Sequence, residues 1–296
     1  MSEASPAISV VVRTLGSGRV AEALASLVRQ TRRDFEVVLV DMSGGRIDGA
    51  LERFAPALPS CRRLAPRRRL SRPAALNAGV AAARAPRIAV LDDDNLYDPD
   101  QLARLADFLD STGADYVYAG VRHATYTPAG LPLACREVSV PFRFDRVLLG
   151  NFIYATGSLY RKAAWERVRG YDERFAVFED WDFILRVAQA GTVVHLPGIA
   201  GESRKFTGRD DLANFDLELA AVRRCLAGVY WKHRRFYRGA LRRELQAAAA
   251  EHCRRRVPAR RGLLAHTVAG WRLELARDLL AWWWGNLAAA ARRSAG

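Results

Sequence analysis

The chain has 296 residues, half of them apolar and 26% charged, with a net charge of +14. That length and apolar content suit one large α/β domain with an appendage and exclude global disorder. The opening Met1-Ser2-Glu3-Ala4-Ser5-Pro6 is polar, unlike a secretory leader, and Cys61, Cys135, Cys225 and Cys253 lack metal-ligand or redox spacing, so the expectation is a cytoplasmic protein with reduced thiols.

Residues 8–12 form an apolar run of strand type that ends in Arg13-Thr14. A turn with Gly16 and Gly18 leads to a helix over residues 20–30, with Ala23, Leu24, Leu27 and Val28 on one face. Residues 35–40 are a second buried strand, closed by Asp41, and residues 47–54 a short helix. A basic loop, Arg67-Arg68-Arg69-Leu70-Ser71-Arg72-Pro73, places proline in the first turn of a helix reaching about Arg84. A third strand, Ile88-Ala89-Val90-Leu91, then runs into Asp92-Asp93-Asp94. Strand and helix thus alternate three times in 95 residues, which predicts a mostly parallel, Rossmann-type sheet flanked by helices. Right-handed crossovers would bring the polar strand ends Arg13, Thr14, Asp41 and Asp92 to one rim.

The middle of the chain reads differently. Residues 116–119 predict a strand, residues 123–126 and 131–136 a hairpin around Pro128-Ala129-Gly130, and residues 152–160 a strand interrupted by Gly157. Phe178-Glu179-Asp180-Trp181-Asp182 opens a helix to about Ala190, and residues 192–196 give a last strand before Pro197. From residue 207 onward the chain predicts helices over residues 211–230, 234–256 and 263–293. This tail carries 18 Lys and Arg against 8 Asp and Glu, so +10 of the +14 sits there. The expected division is an α/β domain over residues 1–206 and a basic helical region over 207–296. Residues 279–291 hold 13 uncharged residues including Trp282-Trp283-Trp284, too few to span a bilayer. Two readings of that segment stay open: a peripheral contact with the inner face of the plasma membrane, or packing on protein, including a second subunit.

Three adjacent carboxylates after a buried strand repel one another unless something positive lies among them. A hard cation such as Mg²⁺ or Mn²⁺ answers that, and a solvated acidic turn before the helix at Asp98-Pro99-Asp100 is the other reading. Likewise, acids at the start of the helix at Glu179 suit either chemistry or simple favourable interaction with the helix dipole. Asp182 and Arg186, four residues apart, suit a structural ion pair.

Taken in order, Ile8-Ser9-Val10-Val11-Val12-Arg13-Thr14, Phe35-Glu36-Val37-Val38-Leu39-Val40-Asp41, Asn77-Ala78-Gly79, Leu91-Asp92-Asp93-Asp94, Gly170-Tyr171-Asp172-Glu173-Arg174-Phe175 and Glu179-Asp180-Trp181-Asp182-Phe183 resemble the family 2 glycosyltransferases over residues 8–201. The resemblance implies a GT-A-like fold and an inverting, metal-dependent transfer of sugar from a nucleotide-diphosphate sugar, UDP-sugar favoured. It implies a place in bacterial cell-surface glycan or glycoconjugate synthesis. By position, Asp41 would bind the base or ribose, and Arg13 and Thr14 would edge the nucleotide pocket. Arg72, Asn77, Asp92 and Asp93 would complete the donor site. Asp94 would ligate Mn²⁺ or Mg²⁺ first and Asp92 second, and Asp180 would be the general base. Gly157-Ser158 would floor the acceptor pocket, where Trp181 either stacks on a sugar or belongs to the core. The acceptor would be a glycan, lipid-linked or protein hydroxyl.

Departures from the family pattern are informative. After Asp41 the chain reads Met42-Ser43-Gly44, so only the first of the usual two acids is kept. Gly201-Glu202-Ser203-Arg204-Lys205 lacks the histidine that often serves the metal, leaving Arg204 or Lys205 to face the diphosphate, while His195 falls in a strand. The Gln-x-x-Arg-Trp signature of processive synthases is absent, which favours addition of one or a few sugars. Two other classes stay open: a sugar-phosphate nucleotidyltransferase, for which Thr14-Leu15-Gly16-Ser17-Gly18-Arg19 is a thin glycine-rich loop, and an Arg-rich scaffold for anionic lipid or nucleic acid. The acidic rim speaks against a nucleic-acid partner.

Overall fold

Valine and isoleucine suit a pleated strand covered on both faces, and they set the centre of the sheet. The computed structural model describes residues 5–207, 219–237, 239 and 243. In it, β1 (Ile8–Thr14) and β2 (Phe35–Asp41) are buried at every residue. Both pair in parallel, β1 lying between β2 and β4 (Arg87–Asp92), with β3 (Cys61–Leu64) outside β2. Helices α1 (Val20–Val28), α2 (Asp48–Phe54) and α3 (Arg72–Ala82) make the connections. The register carries the functional consequence: Thr14 lies opposite Asp41, and Arg13 opposite Asp92. The strands end level, so residues far apart in sequence meet at one rim, where such sheets bind ligands. Gly79 lets α3 lie close to this sheet; a Cβ there would meet Val11 Cγ1 at 2.4 Å.

The remaining strands are β5 (Leu96–Tyr97), β6 (Tyr116–Tyr126), β7 (Pro132–Val138), β8 (Ser158–Arg161) and β9 (Val193–Phe206), with helices α4 (Gln101–Thr112), α5 (Phe144–Leu149), α6 (Lys162–Arg167), α7 (Glu179–Ala190) and α8 (Leu219–Lys232). The nine-stranded sheet runs β3-β2-β1-β4-β8-β6-β9-β5, with β7 paired to the outer half of β6. β5, β7 and β8 are antiparallel to their neighbours and the other six strands are parallel. Among the described residues no helix is long and apolar enough to cross a membrane.

Several expectations are corrected. The last strand does not stop before Pro197: β9 continues to Phe206, and Ala119–Gly120 of β6 spans Leu196 to Ile199 of β9. Pro197 and Gly198 bulge out there, which accommodates a residue without an N–H donor. The strand at 116–119 and the first arm of the hairpin are one strand, β6. Before β8, residues 155–157 form a 3₁₀ turn rather than strand. The predicted tail helices after residue 243, with Trp282-Trp283-Trp284, lie outside the described residues.

Helix α7 is seated by stacked aromatics. Phe183 packs on Tyr171 at 4.4 Å and Tyr160 at 5.1 Å, and Tyr160 stacks on Tyr116 at 5.7 Å. From the other side α8 clasps it. Asp182, fully buried, accepts from Arg186 Nε at 2.7 Å, Lys232 Nζ at 2.9 Å and His233 Nε2 at 3.0 Å. Tyr230 meets Trp181 edge-on at 5.4 Å. Burial alone would raise the Asp182 pKa, but His233, Arg186 and Lys232 outweigh it and hold it below the usual range. Its contribution to stability is therefore full above the ordinary carboxylate pKa and is lost as pH falls through its own lowered value. Asp182→Ala removes the carboxylate shared by Arg186, Lys232 and His233 and should cost on the order of 1–3 kcal/mol, since Lys232 keeps Asp172 and Arg186 keeps the Val168 carbonyl. Urea unfolding checks this: the midpoint should fall with an unchanged slope, and an unchanged midpoint would show that the cluster does not anchor α7.

Candidate active site

At the end of β2, Asp41 is almost completely buried. Its Oδ1 accepts from the Ser43 backbone N–H at 2.7 Å, and its Oδ2 accepts from Arg63 Nε at 2.9 Å and Nη2 at 2.5 Å. Burial pushes its pKa up, but the bonds from Ser43 and Arg63 prevail and keep it ionised below the usual range. Arg63 also reaches Asp48 at 2.8 Å. Sequence reading missed this arginine because β3, Cys61-Arg62-Arg63-Leu64, is an edge strand half made of charges and shows no apolar run.

At the next rim position Arg13 Nη2 grips Asp92 Oδ1 at 2.7 Å. Thr14 Oγ1 donates to Asp93 Oδ2 at 2.5 Å and accepts from the Gly16 N–H at 2.8 Å. Two of the three acids in the run are thus occupied by protein partners. Asp94 is left crowded: burial first, then the charges of Asp92 and Asp93, push it up to about 7, against the opposing pull of Arg13 and Arg204. Arg204 on β9 donates through Nε to the Asp94 carbonyl and through Nη1 to Glu22. Asn95 secures this turn, donating to Thr156 Oγ1 at 2.8 Å and accepting from the Arg204 N–H at 2.7 Å.

Two further acids arrive from α7. Its first residue follows Phe178, whose φ of +65° is left-handed for a residue with a side chain. Such strain is kept only where the surroundings enforce it, and it marks functional sites. Glu179 is buried and accepts from Arg72 Nε at 3.1 Å. Arg72 Nη2 lies 3.8 Å from Asp92 Oδ2. One guanidinium therefore spans the ends of β4 and α7. Burial would lower the Arg72 pKa, but Glu179, Asp92, Asp180 and Asp94 all raise it, so it stays cationic. Asp180 Oδ1 accepts from the Trp181 N–H at 2.7 Å, and Asn151 Nδ2 approaches Oδ2 at 3.4 Å. Burial and then the Glu179 charge hold Asp180 well above the usual carboxylate range, with Arg72 pulling the other way. Burial first, and Asp180 to a smaller degree, raise the Tyr154 pKa, against a hydrogen bond from Arg136 of β7. Asn151, Tyr154 and Arg136 carry no motif, and only the tertiary fold brings them here.

Other expected site residues have structural duties. The Asn77 amide is fully used: Nδ2 donates to the Tyr171 carbonyl and to Glu173, and Oδ1 accepts from Trp165 and the Tyr171 N–H. It latches α3 to the turn before α7. Trp181 is a core residue whose indole donates to the Val147 carbonyl at 2.6 Å. Gly157 and Ser158 are buried, a Cβ on Gly157 coming 2.8 Å from the Ala119 carbonyl and Ser158 Oγ donating to Tyr154. His195 in β9 faces Ser139 at 3.0 Å.

The donor set bears on whether a cation fits. Among the described residues no three His, Cys, Asp or Glu side chains converge as a ready-made cage. Mg²⁺ needs none, since it takes one or two carboxylates and completes its shell with substrate phosphates and water. Asp94, raised by its acidic neighbours, suits that part. Asp92 suits it less, because Arg13 holds it.

Residues 9–168 match the sequence pattern described as Glycosyl transferase family 2. The chain belongs to this family. The glycosyltransferase is 35% identical over 193 residues to the PGL/p-HBAD biosynthesis glycosyltransferase of Mycobacterium tuberculosis, covering 62% of this chain and 70% of that one. Its fold is similar to that of Staphylococcus aureus TarS in complex with UDP-GlcNAc, with a TM-score of 0.55 and 19% identity over 78% of this chain and 74% of that one. It is also similar to the mannosyltransferase PcManGT of Pyrobaculum calidifontis, in complex with GDP-Man and Mn²⁺, with a TM-score of 0.52 and 19% identity over 68% and 57%. The GT-A-like α/β architecture expected from the sequence is thereby shown, and the nucleotidyltransferase and scaffold readings fall away.

The Asp41–Arg63 pair generates a direct prediction. Asp41→Ala should weaken UDP binding by about 1.5–3 kcal/mol, the worth of a hydrogen bond to a charged group. Arg63→Ala should weaken it less, by leaving Asp41 in place but unbraced. Calorimetry with UDP measures both; equal affinity for all three proteins would make the pair a turn brace only.

Proposed function

We propose that this glycosyltransferase moves a sugar from a nucleotide-diphosphate sugar, UDP-sugar favoured, to an acceptor hydroxyl in one displacement that inverts the anomeric centre. The observation that carries this is the Arg72 bridge, which sets the Glu179-Asp180 pair against the acids ending β4. A donor pocket and a candidate base thus share one wall.

Each side chain then has a task. Asp41, buried and ionised, presents an acceptor for an imide N–H of the base, where an unmatched base would leave a buried polar group unpaired. Arg13, Thr14 and Arg72 line the path of the diphosphate. A Mg²⁺ or Mn²⁺ ion on Asp94, with Asp92 in reserve, would offset the charge that grows on the departing diphosphate. The crowding of acids favours that cation: Asp92, Asp93, Asp94, Glu179 and Asp180 gather around Arg13, Arg72 and Arg204. Asp180 takes the proton from the acceptor hydroxyl as it attacks, its raised pKa bringing its basicity toward the operating pH. Asn151 steadies its outer oxygen. The acceptor class we favour is a glycoconjugate, in keeping with the biosynthetic pathway in the mycobacterial relative's name.

Asp180→Asn keeps the size and removes the base. It should bind UDP and Mn²⁺ nearly as the wild type does, yet release UDP from a UDP-sugar in the presence of acceptor at least about a hundredfold more slowly. In the wild type the rate should rise with pH through a limb well above the ordinary carboxylate range, because Asp180 must lose its proton, and that limb should vanish in the variant. Near-normal turnover by Asp180→Asn would move the base elsewhere.

A further inference from the structure

The β6–β7 hairpin ends in an uncharged tip, Pro128-Ala129-Gly130-Leu131-Pro132-Leu133-Ala134, every residue of which is exposed. Leu131 is 65% and Leu133 58% exposed, and they are two of the three large apolar side chains exposed among the described residues. The third, Trp231, lies under its own Arg234 guanidinium at 4.4 Å. The tip is held in shape. The Thr127 N–H donates to the Leu131 carbonyl at 2.8 Å, the Gly130 N–H to the Thr127 carbonyl at 2.9 Å, and the Leu131 N–H to Thr127 Oγ1 at 3.0 Å, with Gly130 at a φ of +84°. Two leucines are thus presented to solvent by a built turn.

The base of the hairpin is cationic and aromatic. Arg19 Nη2 donates to the Pro128 carbonyl at 3.1 Å while its guanidinium sits 3.4 Å from the Phe206 ring centre. Phe206 in turn stacks on Tyr126 at 5.3 Å. Arg136 lies further along β7 on the side of Tyr154, Glu137 is the exposed acid beside it, and Glu202 is tied to Tyr126 and Arg122. An apolar tip above aromatic rings and arginines matches the layering of a bilayer surface: acyl boundary, then interface, then anionic headgroups.

We propose that this hairpin docks on an anionic lipid surface through Leu131 and Leu133, so that the acceptor side of the site faces the bilayer. Along β7, Arg136 lies five residues from Leu131, about 17 Å at strand rise. The proposal rests on the hairpin and not on the assignment of Asp180, so each stands or falls by its own experiment.

The test is cosedimentation of the full chain and of its L131S/L133S variant with phosphatidylcholine vesicles, with and without phosphatidylglycerol. Sedimentation velocity of both proteins without lipid accompanies it. The wild type should bind the phosphatidylglycerol vesicles, less so at high salt, and the variant's partition should fall by at least about tenfold with an unchanged thermal melt. Equal binding by both proteins, as binding through residues 263–293 would give, overturns the proposal, and so does absence of binding by the wild type. A lipid-free wild-type dimer that the variant dissociates also overturns it, by making the tip a contact between copies of this chain.

Discussion

Arg72 holds one guanidinium between two carboxylates that belong to different halves of the protein. Asp92 ends a strand of the parallel sheet, and Glu179 begins a helix 87 residues further on. An arginine in the first turn of α3 is poorly placed for that helix, whose amino end is itself positive. Here the acids around it reverse the balance and keep it charged. Without this strut, the like charges of Asp92, Asp94, Glu179 and Asp180 would lose the cation that all four of them act on. The site's charge pattern, and through it the basicity of Asp180, follows from where this one side chain sits.

The rest of the architecture delivers the partners to that point. Level parallel strands bring Arg13, Thr14, Asp41 and Asp92 to the same rim. Gly79 and the Asn77 latch fix α3 against the sheet and against the turn leading to α7, which sets the direction of Arg72. Aromatic stacking below and the Asp182 cluster behind hold the start of α7 in place. The clasp from α8 shows that chain beyond residue 207 contributes to seating the acid-bearing helix, and Met1–Gln246 forms one compact unit.

Much of this was readable from residues alone, for identifiable reasons. Continuous apolar runs closed by polar residues announce buried parallel strands, so β1, β2 and β4 and their terminal acids were placed correctly. The opening of α7 was legible from its acids and its apolar spacing. What failed to show was short or charged: β3 hides Arg63 behind two arginines in four residues, and β5 is only two residues long. Pro197 looked like a stop because proline cannot donate to a ladder, yet a two-residue bulge carries the strand past it. Asn77 shows what a motif leaves unsaid. Its amide ties two distant segments together, which no neighbouring residue in the sequence signals. Asn151 and Tyr154 come near Asp180, and Arg136 near Tyr154, only through tertiary structure, which leaves no periodic signal in sequence.

The most direct test of the account is the pH dependence of turnover at saturating donor for wild type and Arg72→Gln. Arg72 pulls the Asp180 pKa down, so removing its charge should move the acidic limb to higher pH, with activity partly regained in alkaline buffer. An acidic limb that stays in place, whatever the change in rate, would contradict the claim that Arg72 couples the two halves of the site.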